Sequence, residues 1–185
     1  MRSRRGGRAA VLTAAVLAGG CGSGSASRSE STTASSSELP PALVAEARPI
    51  GRGPAFHPPA TGPVLAPCRS SLGPRAAAHL EVFAENRVVL VASGIGTQPP
   101  QRLFSGRISR ARCYGALVTL DPTGVILVRP GQRLTVGDLF RSWGQPVSAS
   151  RLAGFRAPPG RRVAVFVDGH RWGAPPGAVP LTRHA

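Results

Sequence analysis

Apolar positions alternate or recur with a clear period in the second half of the chain and show no sustained period in the first. Leu80-Glu81-Val82-Phe83 and Val88-Val89-Leu90-Val91 flank Glu85-Asn86, which predicts two strands joined by a compact hairpin turn. Leu117-Val118-Thr119-Leu120 and Val125-Ile126-Leu127-Val128 flank Asp121-Pro122-Thr123-Gly124. There Pro suits the first turn position and Gly the left-handed one. Val163-Ala164-Val165-Phe166-Val167 runs into Asp168-Gly169, the strongest short hairpin signal in the chain, with His170-Arg171-Trp172 as a short return strand.

One helix is marked at both ends. Thr135-Val136-Gly137-Asp138 has the form of a capping box. Val136, Leu139, Phe140 and Trp143 recur as one helical stripe. Gly144 supplies a left-handed stop and Pro146 prevents continuation. Hairpins around one short helix predict an α+β domain: a small antiparallel, hairpin-based sheet in a β-grasp-like arrangement. The expected organisation is a signal segment over 1–20, a disordered Ser/Gly then Pro/Gly-rich tether and linker over 21–75, and the α+β domain over 76–185. The linker has no period of its own, and its last part is expected to be pinned to the domain by Cys68.

Composition then narrows what such a domain can be. The chain has 185 residues, with 23 Gly and 19 Pro, a little under a quarter of all positions. One modest core fits that length; a large enzyme domain or a multi-pass membrane protein does not. Three Cys are too few for a zinc ribbon.

The N-terminus carries a second kind of pattern. Arg2, Arg4, Arg5 and Arg8 precede an uncharged apolar stretch from Ala9 to Gly20, too short to span a bilayer and typical of an export signal. Ser3-Arg4-Arg5 carries only a weak twin-arginine signal, without the usual hydrophobic residues after the pair. Leu17-Ala18-Gly19-Gly20-Cys21 resembles the lipobox of bacterial lipoproteins, with the Leu one position further upstream than usual. The resemblance implies that Cys21 is acylated and becomes the new N-terminus, a lipid anchor on the extracytoplasmic face of the cell membrane. The Ser/Gly-rich residues 22–38 suit a tether behind such an anchor. Cys68 and Cys113 are then left in an oxidising compartment, where they are expected to pair. The alternative, a Cys/His metal site, needs more ligands at closer spacing.

From His79 onward the chain resembles an uncharacterised family of secreted or membrane-tethered bacterial proteins. The resemblance is carried by His79-Leu80 with Phe83, Gly94-Ile95-Gly96, Cys113-Tyr114, Asp121 to Val125, Thr135 to Phe140, Trp143-Gly144-Gln145-Pro146, Val165 to Gly169 and Val179-Pro180-Leu181. Typical members carry histidines before the first strand and after the cysteine segment, which together imply a metal site. Here Ala76-Ala77-Ala78-His79 and Val118-Thr119-Leu120-Asp121 stand in those places, leaving only His79 and Asp121. Two ligands do not hold a divalent ion, so no metal and no cofactor is expected. Members also continue past the final His184-Ala185 with a further strand.

Nothing in the domain forms a recognisable catalytic set. Glu81, Glu85, Asp121, Asp138 and Asp168 read as solvent-facing, capping or turn residues. Gly94-Ile95-Gly96 lacks the third Gly and the helix of a phosphate loop. The basic residues are more informative. All 23 are Arg, and four precede Cys21, leaving 19 Arg against eight acids in the chain from Cys21 on. Arg102, Arg107, Arg110 and Arg112 form one acid-free segment, and Arg151, Arg156, Arg161 and Arg162 another. Such segments suit anionic lipid headgroups or acidic wall polymers. The competing reading is that Arg replaces Lys throughout a GC-rich coding sequence. Nucleic acid is a poor partner for an exported chain with few aromatics in its basic segments. The expected function is a non-catalytic envelope binding module. The alternatives are a metal-handling protein, through the family's histidines, and an envelope hydrolase.

Overall fold

Two consecutive turn residues with positive φ close each of three β-ribbons. The computed structural model describes residues 41–182. The signal, Cys21, the Ser/Gly tether and His184-Ala185 lie outside the described residues. The elements follow in order: helix α1 (Pro41–Glu46), β1 (Ala76–His79), β2 (Val82–Ala84), β3 (Arg87–Val89), β4 (Thr97–Phe104), β5 (Arg107–Tyr114), β6 (Leu117–Val118) and β7 (Val125–Val128). Then come α2 (Val136–Trp143), β8 (Arg151–Leu152), β9 (Phe155–Arg156), β10 (Phe166–Val167) and β11 (His170–Arg171). β1, β7 and β6 form a three-stranded antiparallel sheet in that order. The pairs β2–β3, β4–β5, β8–β9 and β10–β11 are two-stranded ribbons. The fold is α+β, small antiparallel sheets around one short helix, as the hairpin pattern predicts.

Glu85 and Asn86 (φ 53° and 58°) close β2–β3, Ser105 and Gly106 (49° and 77°) close β4–β5, and Asp168 and Gly169 (50° and 77°) close β10–β11. Two consecutive left-handed residues match the twist of the flanking strands, which is why two-residue hairpins favour them. The first and third ribbons stand where alternation and turn chemistry predict them. Residues 80–83 are not one strand: β1 ends at His79, Leu80 donates to the Gly124 carbonyl, and β2 begins at Val82. Gly124 (φ 78°) is required there, because a Cβ would run into the Leu80 carbonyl.

Helix α2 starts at a complete capping box. The Thr135 hydroxyl accepts from the Asp138 amide at 3.3 Å, and the Asp138 carboxylate accepts from the Thr135 amide at 2.9 Å. At the other end Gly144 (φ 74°) lets its own amide reach Arg141 and the Gln145 amide reach Phe140, which satisfies two terminal carbonyls. Leu139, Phe140 and Trp143 are buried against Val82, Val89, Ile95, Leu117 and Ile126. A second, smaller cluster of Ile108, Ala111, Tyr114, Val118 and Leu120 lies under β4–β5.

From Ile50 onward the Pro/Gly-rich stretch hydrogen-bonds to the strands and the helix of the domain. Ile50 pairs in parallel with Val89, donating to Val88 and accepting from Leu90. The Trp143 indole N–H donates to the Phe56 carbonyl at 2.6 Å, and the Gln145 amide donates to Ala55. A buried indole needs an acceptor, and this irregular strap provides it. Leu65 accepts from the Ala116 amide, and Arg69 exchanges two backbone hydrogen bonds with Tyr114. Cys68 and Cys113 form the expected disulfide, with Cα atoms 5.5 Å apart.

Candidate functional site

The longest ribbon, β4–β5, bears the first arginine group, in a segment whose sequence marks no strand. Residues directly opposite on an antiparallel pair share a face. Gln101 stands opposite Ala111 and Leu103 opposite Ile108, whereas Arg102 stands opposite Arg110 and Phe104 opposite Arg107. Ala111 and Ile108 are buried on the second core cluster, and the Ile108 amide donates to the Leu120 carbonyl. This fixes the inner face. The other face, with Arg102, Phe104, Arg107, Arg110 and Arg112, is exposed. A bulge between Arg102 and Leu103 keeps that alternation toward the tip, and the Ser109 hydroxyl donates to the Arg102 carbonyl beside it. The disulfide at Cys113 and the Arg69–Tyr114 pairing hold the base of the ribbon.

Four guanidiniums thus occupy one side of a narrow ribbon. Arg107 lies 3.8 Å from the Asp121 carboxylate, with its side chain 59% exposed, so the pair is worth at most about 1 kcal/mol. Arg112 donates to the Gln98 side-chain carbonyl at 2.8 Å, a neutral acceptor. Arg102 and Arg110 face each other across the ladder, an arrangement that costs stability. At the tip, Leu103 is 63% and Phe104 76% exposed. Neither is marked by a sustained period in the sequence. Their signal was the Ser105-Gly106 dipeptide followed by the spacing of Ile108 and Ala111, hidden behind Pro99-Pro100.

The second group is less uniform. Arg151 and Arg156 are cross-strand partners on β8–β9, but Arg151 is half-buried and its Nε is buried with no partner. Arg161 and Arg162 are exposed in the loop that follows. The two groups lie on different ribbons.

Other arginines are structural. Arg75 donates to the carbonyls of Leu72, Gly115 and Ala116, and Arg129 to those of Pro67, Tyr114 and Gly115. They clamp the disulfide loop onto the end of β5. Burial, then the neighbouring Arg129 and Arg69 guanidiniums, hold Arg75 below the usual arginine range. It stays charged at neutral pH all the same.

The structure brings His79 and Asp121 to one turn, bridged by Thr123. The Thr123 carbonyl lies 3.1 Å from His79 Nε2, and the Thr123 hydroxyl bonds the Asp121 carboxylate. A carbonyl only accepts, so Nε2 carries the proton in this arrangement. Among the described residues no group of three or more His, Cys, Asp or Glu gathers as metal ligands would. A groove of about 700 Å³ beside His79 is lined mainly by Ala76, Ala77, Ala78, Val125 and Pro130, with Arg75 as its charged member. Its lining offers one imidazole and one guanidinium, with no nucleophile–base pair. His170 is exposed on β11, and Asp138 is occupied at the helix cap. Among the described residues no helix is long and apolar enough to cross a membrane. The chain matches no family model, no curated protein and no solved structure.

Proposed function

We propose that this chain is a lipid-anchored lipoprotein of the cell envelope whose folded domain is a non-catalytic binding module for anionic surfaces. Cys21 carries the lipid, the segment behind it is the tether, and the domain reaches its partner through arginine. The observation that carries the binding role is the exposed face of β4–β5, where Arg102, Arg107, Arg110 and Arg112 stand together with one weak carboxylate contact, Arg107 to Asp121. Genome bias can explain Arg in place of Lys. It does not explain why two arginines stand opposite each other on a ladder where repulsion costs stability. Arg156, Arg161 and Arg162 add charge elsewhere on the domain.

Two measurements test this reading. Cys21→Ala releases the protein from the membrane fraction of expressing bacteria after a high-salt wash, which screens the arginine contacts; fractionation with membrane that survives the wash contradicts the anchor. Co-sedimentation with vesicles containing phosphatidylglycerol is strong at low salt and falls as salt rises, because exposed charges are screened. No binding at low salt contradicts the anionic-surface role.

A further inference from the structure

The tip of the β4–β5 ribbon has a chemistry that a soluble polyanion does not use. Leu103 and Phe104 are the last two residues before the turn, 63% and 76% exposed, and the turn itself is only Ser105 and Gly106. An acidic polymer in water would be held by the guanidiniums alone. Two large apolar side chains at the end of a basic ribbon match a layered partner instead, anionic outside and hydrocarbon within.

We infer that this tip inserts into an anionic lipid bilayer, with Leu103 and Phe104 at the acyl boundary and the arginines among the headgroup phosphates. The spacing fits. Arg107 is level with Phe104, the Arg102–Arg110 pair lies about two residues back, and Arg112 about two further. At about 3.3 Å per residue those levels fall roughly 7 and 13 Å behind the tip. The headgroup layer of one leaflet is about 5–7 Å thick. Arg107 and the Arg102–Arg110 pair therefore span it, and Arg112 lies about 6 Å beyond its outer edge, on the aqueous side. Long arginine stems let the guanidiniums reach up to phosphate while the tip sits lower. Phosphate between Arg102 and Arg110 also relieves the repulsion that the fold leaves in place. The inference rests on the reading that the domain faces a membrane, and it commits to lipid over wall polymer.

The test uses the full chain carrying Cys21→Ala, so that acylation does not hold the protein on the vesicle. In that background Phe104→Trp adds an emitter at the tip, and the signal of Trp143 and Trp172 is subtracted with the parent. With phosphatidylcholine–phosphatidylglycerol vesicles, the emission of the introduced indole moves to the blue and is quenched by lipids brominated on the acyl chain. Leu103→Ser with Phe104→Ser weakens binding by about tenfold or more. Both residues are exposed, so the thermal midpoint of the variant stays near that of the parent. Binding that needs the arginines but leaves the introduced indole in water, or that ignores the double Ser change, overturns insertion and leaves the anionic-surface role standing. Loss of membrane fractionation in the Cys21→Ala strain tests the anchor separately and does not bear on the tip.

Discussion

Helix α2 and the β4–β5 ribbon are both amphipathic, yet they resolve their polar and apolar groups in opposite ways. In the helix both ends and the apolar stripe are met inside the molecule, and only the buried Ser142 hydroxyl has no partner. Thr135 and Asp138 cap each other, Gly144 closes the C-terminus, and the stripe ending at Trp143 is fully buried. On the ribbon only one face is met, by Ile108 and Ala111. The other holds four arginines with one weak carboxylate contact and ends in an exposed Phe. Where local chemistry closes on itself, the residues serve stability. Where it stays open and repulsive, they remain available to the proposed anionic partner.

Substitutions sharpen that contrast, and the largest effect belongs to the helix. Trp143→Ala removes a fully buried ring and orphans the Phe56 carbonyl, which costs about 3–5 kcal/mol by denaturant unfolding. Removing both Cys68 and Cys113 costs about 2–4 kcal/mol, since it reopens a 45-residue separation and frees the base of the ribbon. Thr135→Ala breaks the capping box and costs about 1 kcal/mol. Arg102→Glu does the reverse: it puts an acid opposite Arg110 and raises stability by roughly 0.2–1 kcal/mol, while vesicle binding weakens. A reversal at Arg102 or Arg110 that destabilised the domain would erase the distinction between the two regions.

How much of this was legible in the sequence follows the same division. The helix, the β2–β3 and β10–β11 turns, the Asp121–Gly124 turn and the Cys68–Cys113 pair are all written in local residues or in a simple count of thiols. The longest ribbon was not legible. Pro99-Pro100 removes two amide donors from β4 and argues against a strand, and Arg on one face hides the alternation of Ile108 and Ala111. The strap from Ile50 to Arg69 was not legible either. Its hydrogen bonds go to Trp143, Ala116 and Tyr114, far along the chain, so no local period marks it. Arg75 and Arg129 have no local signal for their structural role, because the carbonyls they hold become neighbours only after folding. His79 and Asp121, picked out through the family resemblance, do meet, and what joins them is the Thr123 carbonyl and hydroxyl.

The open face of β4–β5 is the binding face proposed for the domain. Its most direct test is vesicle co-sedimentation at low salt, in the Cys21→Ala background, of a chain with Arg102, Arg107, Arg110 and Arg112 all changed to Gln. Near a membrane each basic residue adds about 1 kcal/mol, so affinity for phosphatidylglycerol vesicles should fall by about a hundredfold or more, with the unfolding midpoint held or raised. Binding unchanged from the parent at the same salt would contradict the account.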